Sequence, residues 1–283
     1  VIAAFDRANL VALGERHWTI EDSQFRLNLI RRPAFARAVN DIVIEFGNPR
    51  YQPLLDRFIE GESVPAADLQ LVWRDTTQPG AFDSPVYEEF LRAVRALNAG
   101  LRVLAADYPI DWTAISQPSD LDALMRERDR SAATIIQREV LDKQRKALVI
   151  FGAAHLYRNR PETIVDLLKD DPRAKWFVVA PVGGPGLPAT EPALLDVAGS
   201  DLASLPAAGV LEIGSKRIKI VGGKPVLVPV FASDVKLGDL IDAGLYFGEA
   251  PPQFVQPSPE IYAGTDYGRE VQRRRQIINL AMS

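Results

Sequence analysis

Apolar residues in this chain come in short runs, and between the runs they recur at three- and four-residue intervals. Runs of that kind read as buried strands and the intervals as amphipathic helices, the signature of βα units on a mostly parallel sheet. Residues 10–13 predict a first strand closing on Gly14-Glu15-Arg16-His17. Thr19, with Asp22 three residues on, predicts a capped helix running to about Ile30, and Pro33 starts a second short one. Residues 42–44 predict the next strand, closing on Glu45-Phe46-Gly47-Asn48.

A longer insertion follows. Leu54, Leu55, Phe58 and Ile59 fall at helical spacing, and residues 73–85 are turn-rich. Phe90, Leu91, Val94 and Leu97 share one face of a helix over 87–98, with Gly100 as its stop. Residues 101–106 predict a third strand, closing on Asp107-Tyr108-Pro109. A long helix dense in arginine and acid is predicted over 120–146. Residues 147–151 predict a fourth strand, closing on Gly152-Ala153-Ala154-His155; a helix over 161–168 then leads to a fifth strand at 176–182.

From Gly183 the texture changes. Residues 183–188 read as a loop, and 213–230 alternate about Gly222-Gly223 like a β-hairpin. Leu245-Tyr246-Phe247 predicts a last strand, and 267–280 a helix with Arg273, Arg274 and Arg275 on its surface. The expectation is a single α/β domain over 1–283. Its core, 1–182, is a mostly parallel central sheet with helices on both faces, and 183–283 add a small hairpin and helical extension.

Composition narrows the function. Apolar residues make up 47% and charged residues 25%, enough apolar surface for a substantial core. The net charge is −4 and the 33 basic residues are scattered, which is no footprint for nucleic acid. No apolar run approaches the roughly 20 residues of a membrane span. The chain has no cysteine, which excludes disulfides, thiolate metal sites and a cysteine nucleophile. It opens at Val1 without a methionine, which reads as removal of an upstream segment; the compartment stays open, and export of a bacterial protein to the periplasm or as a lipoprotein, with its signal removed, is one of the readings. Oligomeric state leaves no pattern in the chain.

In open parallel sheets ligands bind at the carboxyl edge of the strands. The chemically distinctive residues lie there: Glu15 and His17 after the first strand, Glu45 after the second, Asp107 after the third and His155 after the fourth. Both histidines of the chain are among them. Each has a bland reading as well: a helix cap for Asp107, a satisfied histidine for His17, a structural ion pair with an arginine for Glu45. Taken jointly they point to one functional cleft holding Glu15, His17, Glu45 and His155. No Gly-x-Ser-x-Gly elbow, Walker-type loop or His-Glu-x-x-His motif is present.

Gly14-Glu15-x-His17, Glu45 and Gly152-Ala153-Ala154-His155, in that order, resemble the erythromycin esterase-like and ChaN-like superfamily, which includes the TraB and Tiki proteins. Residues 55–61 (Leu-Asp-Arg-Phe-Ile-Glu-Gly), Asp107-Tyr108-Pro109 and the stretch 237–248 resemble blocks of its ChaN branch, the haem-binding uptake family. The resemblance implies an α/β fold with these elements in one cleft. Arg128-Asp129 resembles an Arg-Asp pair of the esterase branch, although the methionine that follows there is replaced by Ser131-Ala132-Ala133. Carried over residue by residue, it makes His17 the general base and Glu45 an orienting or polarising group. His155 and Arg128 then steady an oxyanion, and Arg16, Asp107, Tyr108 and Asp129 contact ligand. Tiki proteins are metal-dependent proteases, whereas the esterases work without metal.

Two functions are compatible with these residues. In a hydrolase, acting on a small molecule or peptide, a neutral histidine takes a proton from water while a carboxylate holds its tautomer. Glu15, His17, Glu45 and His155 also suit a divalent zinc or manganese ion. In a haem-binding protein, tyrosine or histidine ligates the iron; Tyr51, Tyr87, Tyr108 and Tyr157 are candidate ligands, with Trp73 and Trp112 as walls.

Overall fold

The computed structural model describes every residue except 184–192, 212–215, 222–223, 230–233 and 283. Its strands are β1 (Leu10–Glu15), β2 (Asp41–Ile44), β3 (Arg102–Ala105), β4 (Ala147–Gly152), β5 (Trp176–Val182), β6 (Ala193–Asp196), β7 (Lys216–Val221), β8 (Lys224–Pro229) and β9 (Ala243–Tyr246). The helices are α1 (Ile20–Ile30), α2 (Pro33–Ala38), α3 (Gln52–Ile59), α4 (Ala66–Arg74), α5 (Pro85–Leu97), α6 (Asp122–Ile136), α7 (Ile164–Leu167), α8 (Ala207–Val210), α9 (Leu237–Leu240) and α10 (Asp266–Met282). The class is mixed α/β, with a seven-stranded, mostly parallel sheet. Its packing divides into two units.

The first unit comprises Val1, Ala3–His17 and Leu148–Pro252. Its strands run in the order β4-β1-β5-β9-β6. β1 lies parallel to β5, with Leu10 opposite Trp176, and β5 parallel to β9; only β6 runs antiparallel, along β9. Every residue of β1 and β4 is buried. That explains their unbroken apolar runs, since a parallel strand covered on both faces has no polar side to alternate with. β6 is different: its residues alternate between half-buried and exposed, so it leaves no apolar run to detect. The predicted hairpin is β7–β8, antiparallel with Lys216 opposite Pro229; its turn, like most of the 183–188 loop, lies outside the described residues.

The second unit comprises Ile2, Trp18–Ala147 and Gln253–Ser283. Here β2 and β3 pair in parallel, Asp41 opposite Arg102, and β3 stands at the edge. α4 was not foreseen, although Leu69, Val72 and Trp73 bury one face at helical spacing. α5 ends one residue earlier than its glycine suggests, because Asn98 adopts the left-handed conformation (φ 45°) that a short amide side chain tolerates. The long helix is α6 followed by a π-helical turn, Gln137–Leu141, in which Asp142 N–H reaches back to the Gln137 carbonyl at 2.8 Å.

The terminal helix corrects one expectation. Arg273, Arg274 and Arg275 do not all lie on its surface. Arg274 is buried over the Trp112 ring, paired with Asp75 at 2.8 Å and donating to the Arg74 carbonyl at 3.0 Å. Arg273 donates to the Trp112 and Ile115 carbonyls, and Arg275 to that of Pro79. Nearby, the buried Asp83 carboxylate accepts from Tyr262 and Tyr267, both at 2.8 Å, and from Arg74 at 3.2 Å. An arginine triplet on an amphipathic helix reads as solvated; all three instead donate to upstream backbone carbonyls, Arg274 to the end of α4, 200 residues earlier.

Candidate active site

In the first unit, β1 delivers Glu15 as its last residue and His17 two positions on. His17 Nδ1 lies 2.7 Å from Glu15 Oε1; the carboxylate is 1% exposed and the imidazole 26%. A buried carboxylate facing Nδ1 fixes the proton on that nitrogen, which leaves Nε2 as the basic atom. β4 ends at Gly152, and Ala153–His155 form a tight turn that carries the half-buried His155 edge-on to Phe151. Gly14 is what lets this turn approach β1. A Cβ there would stand 2.9 Å from the Ala153 Cβ and 3.0 Å from its Cα. The Gly-Glu-x-His and Gly-Ala-Ala-His motifs are thus packed against one another through their small residues. Arg16 is buried, its guanidinium 4.6 Å above the Phe247 ring.

In the second unit, Glu45 and Asp107 follow β2 and β3, and Arg128 on α6 joins them. Arg128 Nη2 lies 2.9 Å from Glu45 Oε1 and its Nε 3.1 Å from Asp107 Oδ1. Burial works against the charge of Arg128, but the two carboxylates outweigh it and hold the guanidinium above the usual arginine range, with Asp129 adding to the effect. Asp107 also accepts from the Thr77 N–H at 2.5 Å and the Thr77 hydroxyl at 2.8 Å, and Gln78 donates to Glu45 at 2.6 Å. Sequence reasoning missed Thr77 and Gln78, because a turn-rich stretch carries no periodicity to single them out. Asp107 is therefore no helix cap; it belongs to an ion cluster.

Six further candidates are placed differently. Tyr108 is half-buried against the apolar cluster of Ile110, Trp112, Ile115, Leu121 and Ile277. Tyr87 and Tyr157 are enclosed, and burial raises both phenols well above the usual range. Tyr51 donates to Asp75 at 2.6 Å, and Trp73 and Trp112 are buried. Of the candidate haem ligands, His17, His155, Tyr51 and Tyr108 retain exposure, Tyr51 with its hydroxyl engaged by Asp75. Among the described residues, no group of three or more His, Asp and Glu is gathered to hold a metal ion.

A family model described as "Haem-binding uptake, Tiki superfamily, ChaN" matches residues 1–164, more than half of the chain. The chain belongs to this ChaN family. The match covers both Gly-Glu-x-His and Gly-Ala-Ala-His. No curated protein matches the sequence. Among solved structures, a Bacillus cereus protein shares the fold at a TM-score of 0.53 and 11% identity, covering 90% of this chain and 91% of that one. An erythromycin esterase mutant in its open conformation gives 0.50 at 12% identity, covering 87% and 92%. ChaN of Campylobacter jejuni, solved with cofacially bound haem, gives 0.42 at 15% identity, covering 63% and 83%. At these identities the esterase and Bacillus likenesses speak to the fold.

Proposed function

We propose that this ChaN-family protein is a hydrolase in which His17, oriented by Glu15, removes a proton from water that attacks a small-molecule or peptide substrate. The observation that carries the reading is the 2.7 Å contact from His17 Nδ1 to a buried Glu15 carboxylate, with the imidazole still partly exposed. An imidazole whose second nitrogen is tied to a carboxylate is suited to general base catalysis. With no cysteine and no serine elbow in the chain, water is the natural nucleophile. In this reading His155 donates a hydrogen bond to the oxyanion that forms; the packing of its turn against Gly14 supports it. The test is a panel of small esters and peptides assayed with wild type, His17→Ala and Glu15→Gln, beside thermal melts of each. Turnover that survives both substitutions rules the reading out.

The family match favours a second reading, a haem or iron-compound binding protein. His17, His155 and Tyr108 would supply the axial ligand, and bound haem would bring iron ligation through imidazole or phenolate. Adding haem to the protein separates the readings. A saturable one-to-one shift of the Soret band, lost in Tyr108→Phe or His17→Ala, with no ester or peptide turnover, favours binding over hydrolysis.

A further inference from the structure

The residue that follows His17 is held in a conformation its side chain resists. Trp18 has φ +67°, in the left-handed region. Among the described residues the other non-glycine positions at positive φ are Asn98, Gln144, Asn159 and Glu162, all polar. A bulky aromatic has none of the local hydrogen bonding that lets asparagine occupy that region, and its Cβ crowds the backbone there. Strain of this kind persists only where the surroundings fix it from several sides, and it gathers at functional sites.

Trp18 is fixed by three hydrogen bonds. Its indole N–H donates to the Ala81 carbonyl. Its backbone carbonyl accepts from Val255 N–H at 2.7 Å, and a further backbone hydrogen bond joins it to the buried Tyr87 hydroxyl. The next residues extend the hold: Thr19 bridges Phe254 in antiparallel fashion, and Ile20 N–H donates to the Gln253 carbonyl at 2.9 Å. Its two anchors are themselves tied together, since Ser84, three residues after Ala81, donates to the Val255 carbonyl at 2.7 Å. Tyr262 and Arg275 pin the Ala81 loop in turn, donating to the Gly80 and Pro79 carbonyls at 3.3 and 3.1 Å. A bare turn between β1 and α1 is served with less strain by glycine. What tryptophan adds is the indole N–H that fastens the turn to Ala81.

We propose that Trp18 is a positioning residue for His17: its clamped, left-handed backbone fixes the peptide plane that the two residues share, and so keeps the imidazole on the Glu15 carboxylate. An imidazole held in this way meets substrate with its tautomer and rotamer already set, which is where rate is gained. The consequence for rate rests on the hydrolase reading given above, whereas the hold on the imidazole is independent of it.

The experiment compares the full chain with two variants. Trp18→Phe keeps a ring but loses the N–H bonded to Ala81; Val255→Pro removes the N–H bonded to the Trp18 carbonyl and leaves Glu15, His17 and Trp18 unchanged. One readout is the proton NMR resonance of His17 Nδ1–H, which a carboxylate partner moves downfield of the backbone amides, assigned against His155→Gln because the chain has two histidines. The other is kcat and KM on the ester and peptide panel. In both variants the resonance is expected to move upfield or broaden away, and kcat to fall roughly 10- to 100-fold with KM changed less than twofold. A wild type without that resonance, or a resonance that stays in place in either folded variant, overturns the proposal whatever happens to turnover. Should Trp18→Phe not fold, Val255→Pro decides alone. If the resonance moves in the variants while no substrate is turned over by wild type, the positioning stands and the hydrolase reading falls.

Discussion

Arg128 and Glu45 form a buried ion pair, Nη2 to Oε1 at 2.9 Å, which Asp107 extends on the other side of the guanidinium at 3.1 Å. One cation is shared between two carboxylates. Arg128→Met leaves both carboxylates without it and should cost about 3–5 kcal/mol, the usual loss when a buried pair is broken. Glu45→Gln is milder, about 1–3 kcal/mol, because Asp107 still neutralises the arginine. Denaturant melts of the two variants give the ranking, and a Glu45→Gln protein as unstable as Arg128→Met contradicts it.

If the protein is the hydrolase proposed above, the expected loss on changing the Glu15–His17 pair is in rate rather than fold. Removing a positioned base lowers turnover by roughly 10²–10⁴, about 3–5 kcal/mol in the barrier. Glu15→Gln keeps the shape but accepts Nδ1–H less strongly, so it should lower turnover with little change in substrate affinity. A melting temperature that collapses in His17→Ala would mark the histidine as structural.

Gly14 tests the packing of the two motifs directly. Gly14→Ala places a methyl within 2.9 Å of the Ala153 side chain and 3.3 Å of the Val179 carbonyl. Overpacking of that kind should cost about 1–3 kcal/mol and displace the turn bearing His155. Activity should fall with stability in this variant. Gly61→Ala, where a Cβ meets nothing but the backbone has φ +101°, separates strain from crowding: it should destabilise without touching activity.

Much of this fold could be read from the chain, and what could not has definite causes. β1 to β5 were legible because strands covered on both faces demand apolar runs. β6 was not, because its half-exposed residues break the run. Glu15, His17, Glu45, Asp107 and His155 announced themselves as polar residues ending apolar strands. Two of their partners did not: Gln78 and Thr77 lie in an aperiodic turn. Arg128 stood out from the other arginines of α6 only through the Arg128-Asp129 pair that resembles the esterase branch, and its contact to Glu45 became visible in the fold. Asn98 escaped for a similar reason, as a nearby glycine is the stronger stop signal.

A pH dependence follows from the terminal helix. Glu270 accepts from Arg273 and Arg274, each at 2.7 Å, and the Arg273 hydrogen bond leads in drawing its pKa from 4.5 down to about 2. A carboxylate depressed on folding stabilises above its unfolded pKa, and that contribution fades as pH falls through the folded value. Glu270→Gln should therefore melt below wild type at pH 7, with the gap closing between pH 4.5 and 2. A gap that stays constant across that window assigns the effect to packing.

The anchoring of Asp83 by Tyr267, 184 residues later, also sets a schedule for synthesis. At roughly 5–20 residues per second, the tyrosine leaves the ribosome about ten to forty seconds after the aspartate it must meet. Through that interval Asp83 and Arg74, joined soon after by Trp112, have been made but not sealed. The nascent chain then holds a partly assembled second unit whose last wall is still being translated. Such long-range closure slows folding and prolongs exposure to aggregation. The C-terminal helix is the step at which that exposure ends.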